Sequence, residues 1–207
     1  MKQDVDALQA VIPRCRVCRD EPLGRPLPHE PRPVARLSST ARLCVAGQAP
    51  GTKVHASGIP FNDASGRRLR AWMAVDDATF YDTARVAIVP MGFCFPGQDS
   101  HGGDLPPRRE CAPTWREQVF AAMPQIELVL AIGAHAQRWH MGERRKRTMT
   151  ETVADWRRHL GSNVQPRVLP LPHPSWRNTG WLRRNPWFES EVVPALRGEV
   201  ARLLQPF

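Results

Sequence analysis

Lysine is nearly missing from this chain of 207 residues: Lys2, Lys53 and Lys146 stand against 26 arginines. None of the three lies in a motif, which counts against chemistry run through an attacking amine. Long apolar runs are missing too. No stretch approaches the roughly 20 residues needed to span a bilayer. The first residues, MKQDVDALQA, lack the basic head and apolar middle of a secretion signal, so a cytoplasmic location is expected. No internal repeat is present. The G-x-x-x-x-G-K-[ST] loop of nucleotide-processing enzymes is absent, as is an acidic metal site, which disfavours a phosphate-binding enzyme using Gly47–Gly51 as an anion cradle.

What is there is positive charge. The formal net charge is +9, carried almost wholly by arginine. Guanidinium groups make fork-like contacts with phosphate and stack on bases. Such a balance points to a polyanionic partner, nucleic acid first. With 42% hydrophobic residues the chain can bury a core, and its length fits one domain over residues 1–207. Within it, residues 1–40 form an arm. A short helix is expected at Val5–Ile12, then a Cys15-Arg16-Val17-Cys18 turn. The proline-dense stretch Pro22–Pro33 excludes regular helix and sheet. A monomer without membrane attachment is expected.

After the arm, strands and helices alternate. Short apolar runs predict strands at Arg42–Ala46, Arg85–Val89, Leu128–Ile132 and Arg167–Leu171. Helices are predicted at Ala64–Val75, Pro107–Met123, Ala134–Met141, Thr150–Leu160 and Pro186–Leu204, the last interrupted near Pro194. This order predicts an α/β fold of three layers, a central four-stranded parallel sheet flanked by helices. Ligands of such sheets bind beyond the carboxyl ends of the strands. There the chain carries Gly47-Gln48-Ala49-Pro50-Gly51, then Pro90-Met91-Gly92-Phe93-Cys94, then His173-Pro174-Ser175-Trp176-Arg177-Asn178.

Each segment suits a ligand site. Two glycines let the Gly47–Gly51 backbone approach a ligand and turn its N–H groups toward it. Gly58-Ile59-Pro60-Phe61-Asn62-Asp63 offers Phe61 for stacking on a base. Prolines on both sides fix the backbone at His173, whose ring can donate a hydrogen bond to a carbonyl. Four cysteines, Cys15, Cys18, Cys94 and Cys111, are spaced C-x2-C-x75-C-x16-C. Four thiolates suit either tetrahedral zinc or an iron–sulfur cluster. Cys44, inside the first strand, reads as a buried apolar residue.

Taken together the motifs resemble the uracil-DNA glycosylase superfamily over about residues 15–182. Gly47-Gln48-Ala49-Pro50-Gly51 resembles the Gly-Glu-Ala-Pro-Gly of its family 4, and Gly58-Ile59-Pro60-Phe61 resembles that family's Gly-x-Pro-Phe. His173-Pro174-Ser175 with Arg177-Asn178 is more similar to the single-strand-selective monofunctional enzymes. The resemblance implies a monofunctional glycosylase that hydrolyses the N-glycosidic bond of uracil or a related damaged base in DNA. It implies His173 and Gln48 as catalytic residues, with Gly47, Gln48, Ala49, Phe61, Met91 and Asn178 around the base. Ser175, Trp176 and Arg177 would contact DNA. It implies a 4Fe–4S cluster on Cys15, Cys18, Cys94 and Cys111 in preference to zinc, clipping the arm to the body.

Two departures bear on the substrate. Pro90 stands near the place of the family 4 asparagine that reads uracil, so base reading would fall to backbone groups of Met91 or Gly92, to Asn62 or to Asn178. Gln48 replaces that family's acid, and as an amide it orients water and does not deprotonate it. Hypoxanthine, xanthine or an oxidised pyrimidine are then alternative bases, and a non-catalytic binder of damaged or single-stranded DNA is the alternative function. His101, in a glycine-flanked loop, reads as solvent-exposed. Arg144-Arg145-Lys146-Arg147 is a candidate phosphate contact.

Overall fold

A computed structural model describes residues 4–205. The first three residues of the predicted arm, Lys2 among them, and the last two of the chain lie outside the described residues. Four parallel strands make one sheet: β1 (Leu43–Ala46), β2 (Val86–Ile88), β3 (Leu128–Ile132) and β4 (Arg167–Leu171), in the order β2-β1-β3-β4. Every strand residue but Arg167 is buried. The strands therefore read as continuous apolar runs, as a parallel sheet covered on both faces requires. Alternate side chains serve opposite layers. Leu43 and Val45 enter one core cluster and Cys44 and Ala46 the other.

The helices are α1 (Val5–Val11), α2 (Val17–Asp20), α3 (Thr52–Ser57), α4 (Ala64–Met73), α5 (Asp77–Tyr81), α6 (Cys111–Ala122), α7 (Gly133–Met141), α8 (Met149–Ala154), α9 (Trp156–Leu160), α10 (Thr179–Arg184) and α11 (Val193–Leu204). One layer packs α1, α6 and the arm on the sheet, with Leu8, Leu27, Leu37 and Val119 buried there. The other packs α4 and α11, through Leu69, Trp72, Met73, Leu196 and Val200. Among the described residues no helix is long and apolar enough to cross a membrane.

Several predicted helices differ in extent, each for a local reason. The Cys15–Cys18 turn is partly helical, as α2. The Pro107–Met123 helix begins only at Cys111, because Glu110 turns inward to accept from the Leu23 N–H (2.8 Å) and from Arg108 (2.8 Å). Thr150–Leu160 is two helices broken at Asp155, the first opened by a capping box of Thr148 and Glu151. Pro186–Leu204 passes through a wide turn at Phe188–Val192 just before Pro194, which has no N–H to give to the helix ladder.

One buried charge organises the end of β2. Arg116 of α6 is fully buried and donates to the carbonyls of Val89 (3.2 Å) and Pro90 (2.9 Å) and to His140. Its guanidinium lies over Phe120 and Trp139. Burial lowers its pKa to about 10, which still leaves the charge in place at neutral pH. The extended chain after β2 is thus tied by its carbonyls to α6, and through Arg116 and His140 to α7.

Candidate active site

A cleft of about 680 Å³ opens at the carboxyl ends of the strands. Its walls include Gly47, Gln48, Ala49 and Gly51 after β1, Pro90 after β2, and His173, Ser175, Trp176, Arg177 and Asn178 after β4. The three segments singled out in the sequence therefore meet in one place. Phe61 joins them, and so do Asp63, Lys53 and Asp104.

His173 is the central titratable group. Asn178 Nδ2 donates to its carbonyl (2.7 Å), and Arg68 donates to the Ser175 carbonyl (3.0 Å). These bonds hold the turn, so Asn178's amide donors brace the histidine. The imidazole itself makes no hydrogen bond among the described residues. Burial pushes its pKa below the ordinary value of 6.5, while the nearby carboxylates of Asp63 and Asp104 pull the other way. The neutral ring is favoured at neutral pH, with one N–H free to donate.

Phe61 is held under strain. Its φ is +55°, a left-handed conformation that costs a bulky residue about 1–2 kcal/mol. The local chain enforces it. Asp63 caps α4 through the Gly66 N–H (2.9 Å), and a Cβ on Gly66 would stand 1.6 Å from the Phe61 carbonyl. Arg70 donates to that same carbonyl (3.2 Å). The ring packs edge-on to Phe80 and lies against the glycine loop, 3.0 Å from where a Cβ on Gly47 would be. Glycine at 47 leaves room for the ring; alanine would press on it.

Other expectations are placed differently. Met91 is buried and does not line the cleft. Its N–H donates to the Gly47 carbonyl and that of Gly92 to the Gln48 carbonyl, both at 2.9 Å. Pro90 has no N–H, so none of these three positions has a donor for a base. Asn62 donates to Ser57 Oγ (2.8 Å) and stays outside the cleft lining. His101 is exposed and likewise outside it. In the Arg144–Arg147 run, Arg144 donates to the His140 carbonyl, Lys146 pairs with Asp155 and Arg147 with Glu151. Trp176 is 74% exposed at the cleft mouth, with the Arg177 guanidinium 5.7 Å from its ring centroid.

Lys53 and Asp104 were not found by sequence reasoning. Lys53 has a signal in hindsight, two residues past Gly51. Asp104 has none, since a long irregular loop brings it back over the cleft.

The four spaced cysteines line a second, narrow pocket together with Val17, Pro31, Pro33, Phe93, Thr114 and Trp115. All are free thiols. Trp115 Nε1 donates to Cys15 Sγ and the Phe93 N–H to Cys111 Sγ, both at 3.3 Å. Burial raises the thiol pKa values of Cys18, Cys94 (to about 12) and Cys111, and the sulfurs raise one another's. Four thiolates here require a cationic centre among them. The donor set and the two N–H···S bonds fit an iron–sulfur cluster. Among the described residues no three His, Cys, Asp or Glu converge to hold a single metal ion. Cys44 is fully buried in β1, apart from this group, with burial raising its pKa to about 12.

The family model described as the uracil DNA glycosylase superfamily matches residues 35–197. Among solved structures the chain is similar to a solution NMR structure described as a "putative Uracil DNA glycosylase" from Methanosarcina acetivorans. The two are 17% identical, with 79% of this chain and 94% of that one covered, at a TM-score of 0.41.

Proposed function

The chain belongs to the uracil DNA glycosylase superfamily, and from that premise we propose that it is a monofunctional DNA glycosylase acting on uracil or a related damaged base. One observation carries the reading. A neutral His173 with unpaired ring nitrogens, the Gly47–Gly51 backbone and the Phe61 ring share one cleft at the carboxyl edge of the sheet.

The target base must leave the duplex stack to enter such a cleft. Phe61 offers it a face, and Trp176 with Arg177 braces the strand at the mouth. Hydrolysis breaks the bond between the sugar C1′ and the base nitrogen, and the electron pair departs with the base. His173 donates its N–H to the oxygen on which that charge gathers, aided by the backbone N–H of Gln48. Water supplies the oxygen that C1′ takes up. Lys53 is exposed on the first turn of α3, where an ammonium serves the phosphate backbone. The readout of base identity falls to the Gly47–Gly51 backbone, since the N–H donors after β2 are committed. That leaves hypoxanthine, xanthine and oxidised pyrimidines beside uracil.

In the same reading Cys15, Cys18, Cys94 and Cys111 hold a 4Fe–4S cluster. When bound it supplies a structural cross-link between the arm and the start of α6. Thiols spread round a pocket instead of converging on one point favour a cubane over zinc.

Labelled oligonucleotides carrying each candidate base, followed by alkaline cleavage of abasic sites, test the activity. Excision of at least one base is the expected result. Tight binding to these oligonucleotides without excision would favour a non-catalytic binder. Anaerobic purification should give a brown protein with iron and acid-labile sulfide; a colourless protein holding zinc alone would refute the cluster.

A further inference from the structure

Glycosidic hydrolysis is speeded by a group that orients water and accepts its proton, and no residue has yet been given the second of these roles. Gln48 is an amide without basicity, and its Nε2 is turned to the Leu105 carbonyl (3.4 Å). His173 serves the departing base. The only carboxylates lining the cleft among the described residues are Asp63 and Asp104. Asp63 is committed through Oδ1 to the cap of α4.

Asp104 also has one oxygen bonded, but its other oxygen stands against the Gly47–Gly51 loop. Its Oδ1 accepts from Gln98 Nε2 (3.3 Å), and its Oδ2 makes no hydrogen bond among the described residues. That free oxygen lies 3.1 Å from where a Cβ on Gly51 would stand, so the carboxylate sits against the Gly47–Gly51 loop. The loop that brings it there is built, not loose. Gln98 and Asp104 form an antiparallel bridge. The Asp99 N–H donates to the Gly103 carbonyl (2.8 Å), the Gly103 N–H to Asp99 Oδ1 (2.8 Å), and the Leu105 N–H to the Gly97 carbonyl (2.9 Å). A carboxylate fixed in this way is preorganised over the place where the sugar must lie if the base faces His173 and Phe61.

We propose that Asp104 is the residue that orients the attacking water and takes its proton. This rests on the glycosylase reading above. In the step, the water oxygen bonds to C1′, its proton passes to Asp104, and the base leaves with the electron pair of the broken bond. The proton is returned to solvent or to the released base.

The test is single-turnover excision on the base that the unmutated chain removes, run beside equilibrium binding to an uncleavable analogue. Asp104→Asn, which keeps an acceptor for Gln98, should lose about 10²–10³-fold in rate with its Kd unchanged. Gln48→Glu added to Asp104→Asn should recover about tenfold or more by moving the acid to the neighbouring loop. Full rate in Asp104→Asn, with His173→Ala inactive, would overturn the assignment and leave the glycosylase reading standing. So would an equal loss in Asp63→Asn, because a shared field on His173 would then explain both. No excision by the unmutated chain would overturn both readings at once.

Discussion

The cleft and the cysteine pocket are both served by the chain between Pro90 and Cys111, yet they are opposite environments. Pro90, Gln98, Gly102 and Asp104 face the cleft, while Phe93, Cys94 and Cys111 face the pocket. In the cleft the groups that matter are left unpaired and open to a molecule from solvent: the His173 ring and one Asp104 oxygen. In the pocket the thiols are enclosed by prolines and aromatics, and burial drives the pKa values of Cys18, Cys94 and Cys111 up. One region is open to a molecule from solvent, and the other is the enclosed pocket that we propose holds a cluster. The difference lies in what desolvation does: it keeps the His173 imidazole neutral and able to donate, and it disfavours the thiolates of Cys18, Cys94 and Cys111 unless a positive centre stands beside them.

That contrast can be broken at several points. The largest effect is expected at His173. His173→Ala should cut the excision rate by about 10²–10³-fold while DNA binding persists, as measured by single-turnover kinetics and a gel shift. Loss of binding in step with rate would show the histidine to be structural, like the cysteines. Next comes Cys94→Ser. Its loss should empty the pocket of iron and lower Tm by about 5–10 °C, read by elemental analysis and thermal melting. An unchanged Tm would mean that the pocket does not retain anything that matters to the fold.

Trp176→Ala sharpens the cleft side. Removing an exposed ring that braces the strand should weaken DNA affinity by about tenfold and leave Tm alone. The smallest effect concerns acid. His140 is held well below its ordinary 6.5, by burial first and then by Arg116 and Arg144. His173, His159, His135 and His55 are lowered as well, each chiefly by burial. The unfolded chain takes up protons below about 6.5 that the fold refuses, so stability is full above that pH and falls as the pH drops below it. Tm followed from about pH 7.5 to 5 should show this decline, and His140→Gln should flatten it. A flat profile in the unmutated chain would contradict these directions.

All four strands were legible in the sequence to within a residue, because a strand buried on both faces must be apolar throughout. The edge that carries the site followed from that order. Short helices such as α3 and α5 were not legible, since five or six residues show too little periodicity. The pairing of the Met91 and Gly92 N–H groups was not legible for a different reason. Whether the N–H groups of Met91 and Gly92 are available depends on the Gly47 and Gln48 carbonyls across the sheet edge, a pairing that no local pattern announces. Asp104 was hidden in the same way, by a hairpin whose register only the folded chain fixes.

The arm has a consequence of its own. Arg36 exchanges two backbone hydrogen bonds of 2.8 Å with Ile88, and the Val34 N–H donates to the Phe93 carbonyl at 2.7 Å. Since β2 is an outer strand, the arm acts as a cover over a rim that would otherwise recruit strands from other molecules. A cluster held by Cys15 and Cys18, as proposed above, would fasten that cover. Damage to the thiols would then surface first as clumping of intact, still foldable chains, ahead of any change in how the cleft treats a base.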